Sequence, residues 1–171
     1  MFTDRCKEVY IKYIGLFEVF KRYNGFYDFK DISEIQMITL EQIPILAIPS
    51  MNDTHLEESL IINKLDVAVS NNELETIHEI LHELLAHTNM HYAAEEKMME
   101  ESTFPEYKKH KKEHDRHLTE LKSVINYFEI HKEPRAIYAY IEGGLSAWTL
   151  HHANTMDREL ALFVKESDTI K

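Results

Sequence analysis

The chain has 171 residues, is 44% hydrophobic and carries a formal net charge of −11. This length favours one domain with an appendage, and so acidic a chain repels phosphate backbones, which argues against a nucleic-acid partner. Gly and Pro number four each, which favours long helices over a turn-rich β fold. Cys6, the single cysteine, excludes an internal disulfide, and we find no apolar run typical of a signal peptide or membrane span. We therefore expect a cytoplasmic protein that does not contact membranes.

Residues 1–35 are predicted to form an N-terminal helical appendage. Ile11, Ile14, Phe17 and Phe20 recur near helical spacing, which indicates one apolar face. The segment is also rich in aromatic residues. We expect this face to pack either on the rest of the protein or on a second subunit, and the second arrangement would give a homo-oligomer.

Residues 36–171 are predicted to form the main domain. After a lead-in containing Pro44 and Pro49, apolar positions at helical spacing predict four helices, over residues 53–69, 73–101, 105–131 and 134–165. Pro105 and Pro134 are placed in the first turns of the third and fourth helices. The short connections predict an all-α, antiparallel up-down-up-down four-helix bundle. Gly143 and Gly144 within the last helix predict a bend or a close helix–helix contact.

Histidine is unusually frequent, with 11 residues dispersed along the chain. Seven His, Glu and Asp residues form candidate metal ligands on the four predicted helices: His55, His91, Glu95, His110, His114, His152 and Asp157. Residues four apart share a helix face, so two helices each offer a chelating pair. Imidazole with carboxylate suits iron, zinc or copper, and two carboxylates suggest bridges between two metals. An HxxxH pair taken alone is more often two surface histidines.

Asp157 does not fit regular helical spacing. It follows His152 by five residues, which on an α-helix is about 140° around the axis. Asp157 therefore needs either a long reach or a π-bulge to join the other six residues.

The order of these motifs resembles the bacterial hemerythrin family over residues 38–165. The resemblance rests on ITLEQIPILAIPSMNDTHLEES, HTNMHYAAEEKMMEESTFPEYKKHKKEH and WTLHHANTMD. It implies two iron ions joined by an oxo or hydroxo group. One iron would be held by His110, His114 and His152, and the other by His55 and His91 with an open position, while Glu95 and Asp157 bridge both.

The resemblance also implies a function. Family members bind O2 reversibly at the open position, so we expect an oxygen-binding protein, rather than an enzyme, that serves storage, delivery or sensing. Other small ligands of such a centre are nitric oxide, azide and peroxide. Trp148 matches a pocket residue of the family, although simple core packing explains it equally well.

Four positions depart from the family pattern. Leu40 and Asn52 replace a Trp and an Asp of the lead-in, and we expect these changes to affect only capping and packing. Glu58 and His117 replace residues that are usually apolar in the family, one turn from predicted ligands. Either they swing aside to solvent or pair with each other, or they form a polar pocket or add a metal ligand.

A polar pocket would favour a different activity. Glu58 and His117 could supply protons, which favours a di-iron oxidase or peroxidase. Iron or nitric oxide handling is a third possibility. Of the remaining histidines, His87 is expected at the surface or in a hydrogen bond, and the following are expected to be solvated: His78, His82, His131 and His151.

Overall fold

The computed structural model describes residues 37–169. The predicted appendage over residues 1–35, its role in oligomerisation and Cys6 lie outside the described residues, and the predicted domain boundary stays a prediction. Within the described range the chain is helical and contains no strand. The predicted all-α four-helix bundle is confirmed.

Three helices are long and nearly uninterrupted. They are α1 (Pro49–Ser70), α2 (Leu74–Ser102) and α3 (Tyr107–His131). The fourth rod of the bundle consists of α4 (Pro134–Tyr140), α5 (Ser146–His152) and α6 (Arg158–Thr169). Two π-helical turns, Ile141–Leu145 and Ala153–Asp157, join its parts. Helix α2 packs on α1 and α3, and α4 packs on the same two helices.

The ends of the helices differ from the prediction at two prolines. Helix α1 begins at Pro49, because a proline at the first helical position already has the required φ and lacks only an N–H that would be unpaired there. Pro105 lies in the turn before α3, which begins at Tyr107, so its predicted place in the first turn of that helix is wrong. Of the two alternatives for Gly143 and Gly144, the bend is correct. The backbone kinks at Gly144, and a Cβ at either glycine would meet nothing within 4 Å.

The lead-in to α1 is held by two buried asparagines. Asn52 Oδ1 accepts a hydrogen bond from Leu46 N at 2.6 Å, and its Nδ2 donates to Leu46 O at 3.2 Å. Asn63 makes the same pair of bonds with Ile38, each 2.9 Å long. Asn52 makes no capping bond at the start of α1. It fixes an irregular segment whose buried backbone groups would otherwise be unpaired.

The buried apolar residues form two clusters with polar residues between them. The larger cluster contains Leu56, Leu84, Leu121 and Leu145, and the smaller one contains Met51, Met99, Phe104 and Leu160. On α1, α2 and the fourth rod, the predicted metal ligands fall in sequence between members of the two clusters. The candidate site therefore lies across the middle of the bundle, closed at both ends by apolar side chains. Within residues 37–169, we find no helix whose length and hydropathy would let it cross a bilayer.

Asp66 on α1 is a buried carboxyl group away from these ligands. It is 2% exposed, and neither carboxyl oxygen has a hydrogen-bond partner among the described residues. Burial, followed by the negative charge of Glu142, raises the pKa of Asp66 to about 6 from an ordinary 3.8. The folded chain therefore binds this proton more tightly than the unfolded chain does. The contribution of Asp66 to stability is lost as the pH rises from 4 through 6.

We expect Asp66→Asn to stabilise the fold at pH 7.5 by about 1–2 kcal/mol, because it removes a buried charge that has no partner. Urea unfolding between pH 5 and 8 measures the free energy of unfolding of the variant and of the parent. The two proteins have the same candidate metal ligands and differ only at residue 66. The difference should shrink as the pH falls. A variant less stable than the parent at pH 7.5 would contradict the account, and Glu57→Gln, at an exposed position of the same helix, is the control.

Candidate metal centre

The structure brings all seven predicted ligands together inside the bundle. Each of them is at most 5% exposed. Their ligand atoms form two groups, in each of which all atoms lie within 4.8 Å of one another. One group contains Glu95, His110, His114, His152 and Asp157, and the other contains His55, His91, Glu95 and Asp157. The two carboxylates are common to both groups.

Asp157 faces both groups with different oxygens. Its Oδ1 lies 3.0 Å from His110 Nε2 and 3.2 Å from His152 Nε2, whereas its Oδ2 lies 3.0 Å from His55 Nε2. These separations match two ligands of one transition metal, whose bonds to nitrogen and oxygen are about 2.0–2.2 Å long. Asp157 therefore has the geometry of a bridging carboxylate.

Glu95 repeats this arrangement from α2. Its Oε1 lies 3.2 Å from His91 Nε2, and its Oε2 lies 3.3 Å from His114 Nε2 and 3.5 Å from His110 Nε2. One oxygen thus faces the group that contains His55 and His91, and the other faces the group that contains His110, His114 and His152. Glu95 and Asp157, which lie on different helical segments, therefore each direct one oxygen to each of the two groups.

Many polar atoms of these residues lack hydrogen-bond partners within the described part of the chain, which indicates a metal site rather than a network of hydrogen bonds within the protein. Buried polar atoms normally have partners. Here many imidazole and carboxylate atoms have no hydrogen-bond partner among the described residues: both nitrogens of His55 and His114, both oxygens of Asp157, Glu95 Oε2 and His110 Nδ1. Nitrogen and oxygen donors that converge without hydrogen bonds are suited to metal cations.

The position of Asp157 depends on a local change in helix type. Residues Ala153–Asp157 form a π-helical turn. Such a turn closes hydrogen bonds between residues five apart, so Asp157 comes to lie beneath His152 on the inward face. Of the two ways in which the sequence could place Asp157, the structure has the π-bulge.

Glu58 is buried against a predicted ligand. It is 2% exposed, its Oε2 lies 3.3 Å from His91 Nδ1, and its Oε1 accepts a hydrogen bond from Thr88 Oγ1 at 3.4 Å. Burial opposes its ionisation, but the hydrogen bond with His91 and the charges of nearby histidines outweigh burial and lower the pKa of Glu58 to about 2. The side chain neither turns to solvent nor pairs with His117, so both of those expectations are wrong.

His117 is also buried, at 3% exposed, and lies between two tyrosines. Its Nδ1 shares a hydrogen bond with the Tyr92 hydroxyl, and its Nε2 lies 3.4 Å from the Tyr140 hydroxyl. Burial lowers the pKa of His117 to about 4, so the ring is neutral at pH 7. Glu58 and His117 belong to neither group of converging ligand atoms. Glu58 and His117 instead form a polar environment beside the site.

Aromatic rings complete the wall of the site. Tyr92 stacks on His114 with ring centroids 3.8 Å apart, and Trp148 lies between His117 at 3.8 Å and His152 at 4.7 Å. Trp148 thus contacts a predicted ligand, and its role as a pocket residue stays a prediction. Sequence reasoning missed Thr88, Tyr92 and Tyr140. A signal existed for Tyr92, an aromatic residue that directly follows the predicted ligand His91.

Comparison with known proteins agrees with this geometry. Residues 47–163 match the family model described as the hemerythrin HHE cation binding domain. The chain is also similar to a bacteriohemerythrin of Aquifex aeolicus (strain VF5). The two are 27% identical over 111 residues, which cover 65% of this chain and 85% of that protein.

Proposed function

Since the chain belongs to the hemerythrin family of cation-binding domains, we propose that it is a non-haem di-iron protein that binds O2 reversibly, for storage, delivery or sensing. The main support is that each of the two central carboxylates, Glu95 and Asp157, directs its two oxygens towards different histidines. Each of them directs one oxygen towards two histidines of the set His110, His114 and His152, and the other oxygen towards one histidine of the pair His55 and His91. A single cation would not need two carboxylates shared in this way.

The proposed ligand sets are unequal. His110, His114 and His152 would hold one iron, His55 and His91 would hold the other, and Glu95 and Asp157 would be shared by both. The iron held by two histidines would have one protein ligand fewer, which would leave room for O2 or for a small ligand such as nitric oxide, azide or peroxide. When bound, the di-iron centre supplies the electrons for reversible oxygen binding.

The ligand chemistry favours binding over cleavage of O2. Five imidazoles and only two carboxylates give less electron donation than a site built mainly from carboxylates. The residues around the site orient its ligands and limit the access of water. Glu58 accepts at His91 Nδ1 and so directs Nε2 towards the centre, as carboxylates beside metal-bound histidines usually do. Met99 and Leu56, both 0% exposed, belong to the apolar clusters that limit water on either side.

One observation favours an enzymatic alternative. The groups that line the site include Glu58, His117 and Tyr92, which are polar and buried together. Glu58 is ionised at neutral pH, but the Tyr92 hydroxyl and the His117 ring that shares its hydrogen bond carry protons that could be delivered to a bound oxygen ligand. A di-iron oxidase or peroxidase is therefore the second candidate function.

Optical spectra of the iron-loaded protein test the proposal. We expect a visible charge-transfer band in air that bleaches under argon, returns with O2 and is replaced by a different band with azide. Rapid conversion to a ferric form that no longer responds to O2, with turnover of H2O2, would overturn the carrier in favour of the enzyme. A preparation in which the central site holds a single zinc ion and no iron would overturn both.

A further inference from the structure

A second cluster of metal-binding side chains lies on the surface of the bundle. His78 and His82 of α2 face Glu129 of α3, and their side chains are 39%, 46% and 41% exposed. Their ligand atoms lie within 4.8 Å of one another. All three are therefore open to ions from solvent, whereas the seven residues of the central site are buried.

The geometry of this cluster suits one small cation. Glu129 Oε1 lies 3.0 Å from His82 Nε2 and 3.6 Å from His78 Nε2, so one oxygen faces both rings. Two ligands of a tetrahedral ion with bonds of about 2.0–2.1 Å are about 3.3 Å apart. The observed distances lie on either side of this value. Small rotations of the side chains would thus bring all three atoms to an ion without moving the helices.

The sequence explains why the histidines converge. His78 and His82 are four residues apart, so they share one face of α2, and their ring centroids are 4.6 Å apart. Glu129 comes from the neighbouring helix, and its place depends on the packing of α3 on α2. The chelating pair is visible in the sequence, whereas the third ligand is visible only in the structure.

We propose that His78, His82 and Glu129 form a second metal site, selective for divalent transition metals of the Zn²⁺ type. Two imidazoles and one carboxylate, with water as the fourth ligand, are a common zinc ligand set. Ca²⁺ and Mg²⁺ prefer oxygen ligands and would bind poorly. The net charge of −11 raises the local concentration of any cation at the surface.

This site is separate from the central one. It shares no residue with the seven central ligands, and His82 lies nine residues before His91, which is about 13 Å along a helix. An ion held here would join α2 to α3. Because only the folded chain brings the three ligands together, zinc binding would also stabilise the fold.

Equilibrium dialysis of the iron-loaded protein against Zn²⁺ tests this proposal, with iron and zinc counted in the same sample. We expect the parent to bind one more zinc ion per chain than His78→Ala/His82→Ala, with iron unchanged in both. Glu129→Gln should weaken zinc binding by about tenfold or more, since even indirect changes near a metal cost about 10–100-fold. His131→Ala removes an exposed histidine outside the cluster and should bind like the parent.

Thermal unfolding gives an independent measurement. Zn²⁺ should raise the Tm of the parent and of His131→Ala but not that of the double variant, while circular dichroism shows equal helicity in all of them. The proposal would be overturned if the double variant bound as much zinc as the parent, or if the parent bound none beyond its iron. Zinc that enters only by displacing iron would overturn it as well.

Discussion

Glu95→Ala is expected to lower the iron content from two ions per chain to less than one. The side chain directs Oε1 towards His91 and Oε2 towards His114, so its loss removes one ligand from each proposed iron. Metal analysis after anaerobic iron loading and gel filtration measures the effect. Circular dichroism should show that the variant keeps its helices.

The same variant should be less stable than the parent. Without metal, a buried set of imidazoles and Asp157 remains without hydrogen-bond partners, which destabilises the fold. Loss of a ligand that binds only the folded state costs about 4 kcal/mol at a thousandfold excess over its Kd, or roughly 10 °C in Tm. Glu101→Ala, at an exposed position of the same helix, should change neither quantity. A Glu95→Ala protein that retained two irons would contradict the bridging role.

The Glu58→Leu/His117→Phe double variant is expected to autoxidise several-fold more slowly than the parent. These changes replace a buried carboxylate and a hydrogen-bonded imidazole with the apolar residues that the resemblance leads us to expect there. A less polar pocket holds fewer groups that can deliver protons to bound oxygen. Decay of the optical band in air, normalised to iron content, measures the rate.

Normalisation is necessary because Glu58 also contacts His91. Its loss should weaken iron retention by about 10–100-fold, as is usual for partners of metal-bound histidines. The exposed pair Glu57→Leu/His131→Phe is the matched control and should autoxidise like the parent. If the Glu58/His117 variant were oxidised as fast as the parent, the polar environment would have no part in the chemistry.

The architecture could be predicted because it depends on local patterns. Leu74, Ile77, Leu81 and Leu84 repeat at helical spacing, and the burial of the last three, with Leu74 packed partly buried against them, follows from that repeat. Chelating pairs four residues apart, such as His110 and His114, must share a face. Helix ends were less predictable. Turns here use left-handed Asn72, Thr103 and Lys132 where no glycine marks the position.

The surroundings of the site could not be predicted in the same way. Glu58 contacts a histidine on another helix, and His117 meets tyrosines of two further segments. Such contacts depend on how the helices rotate against one another, which periodicity alone does not specify. The choice between a long reach and a π-bulge at Asp157 likewise depends on the packing of the whole fourth rod.

Anomalous X-ray scattering at the iron edge, from crystals of the iron-loaded protein, tests the central claim most directly. The account predicts two iron peaks roughly 3.5 Å apart, a spacing typical of two-metal sites. One peak should lie among His110, His114 and His152 and the other beside His55 and His91, with Glu95 and Asp157 between them. A single peak, or two peaks without either carboxylate between them, would contradict it.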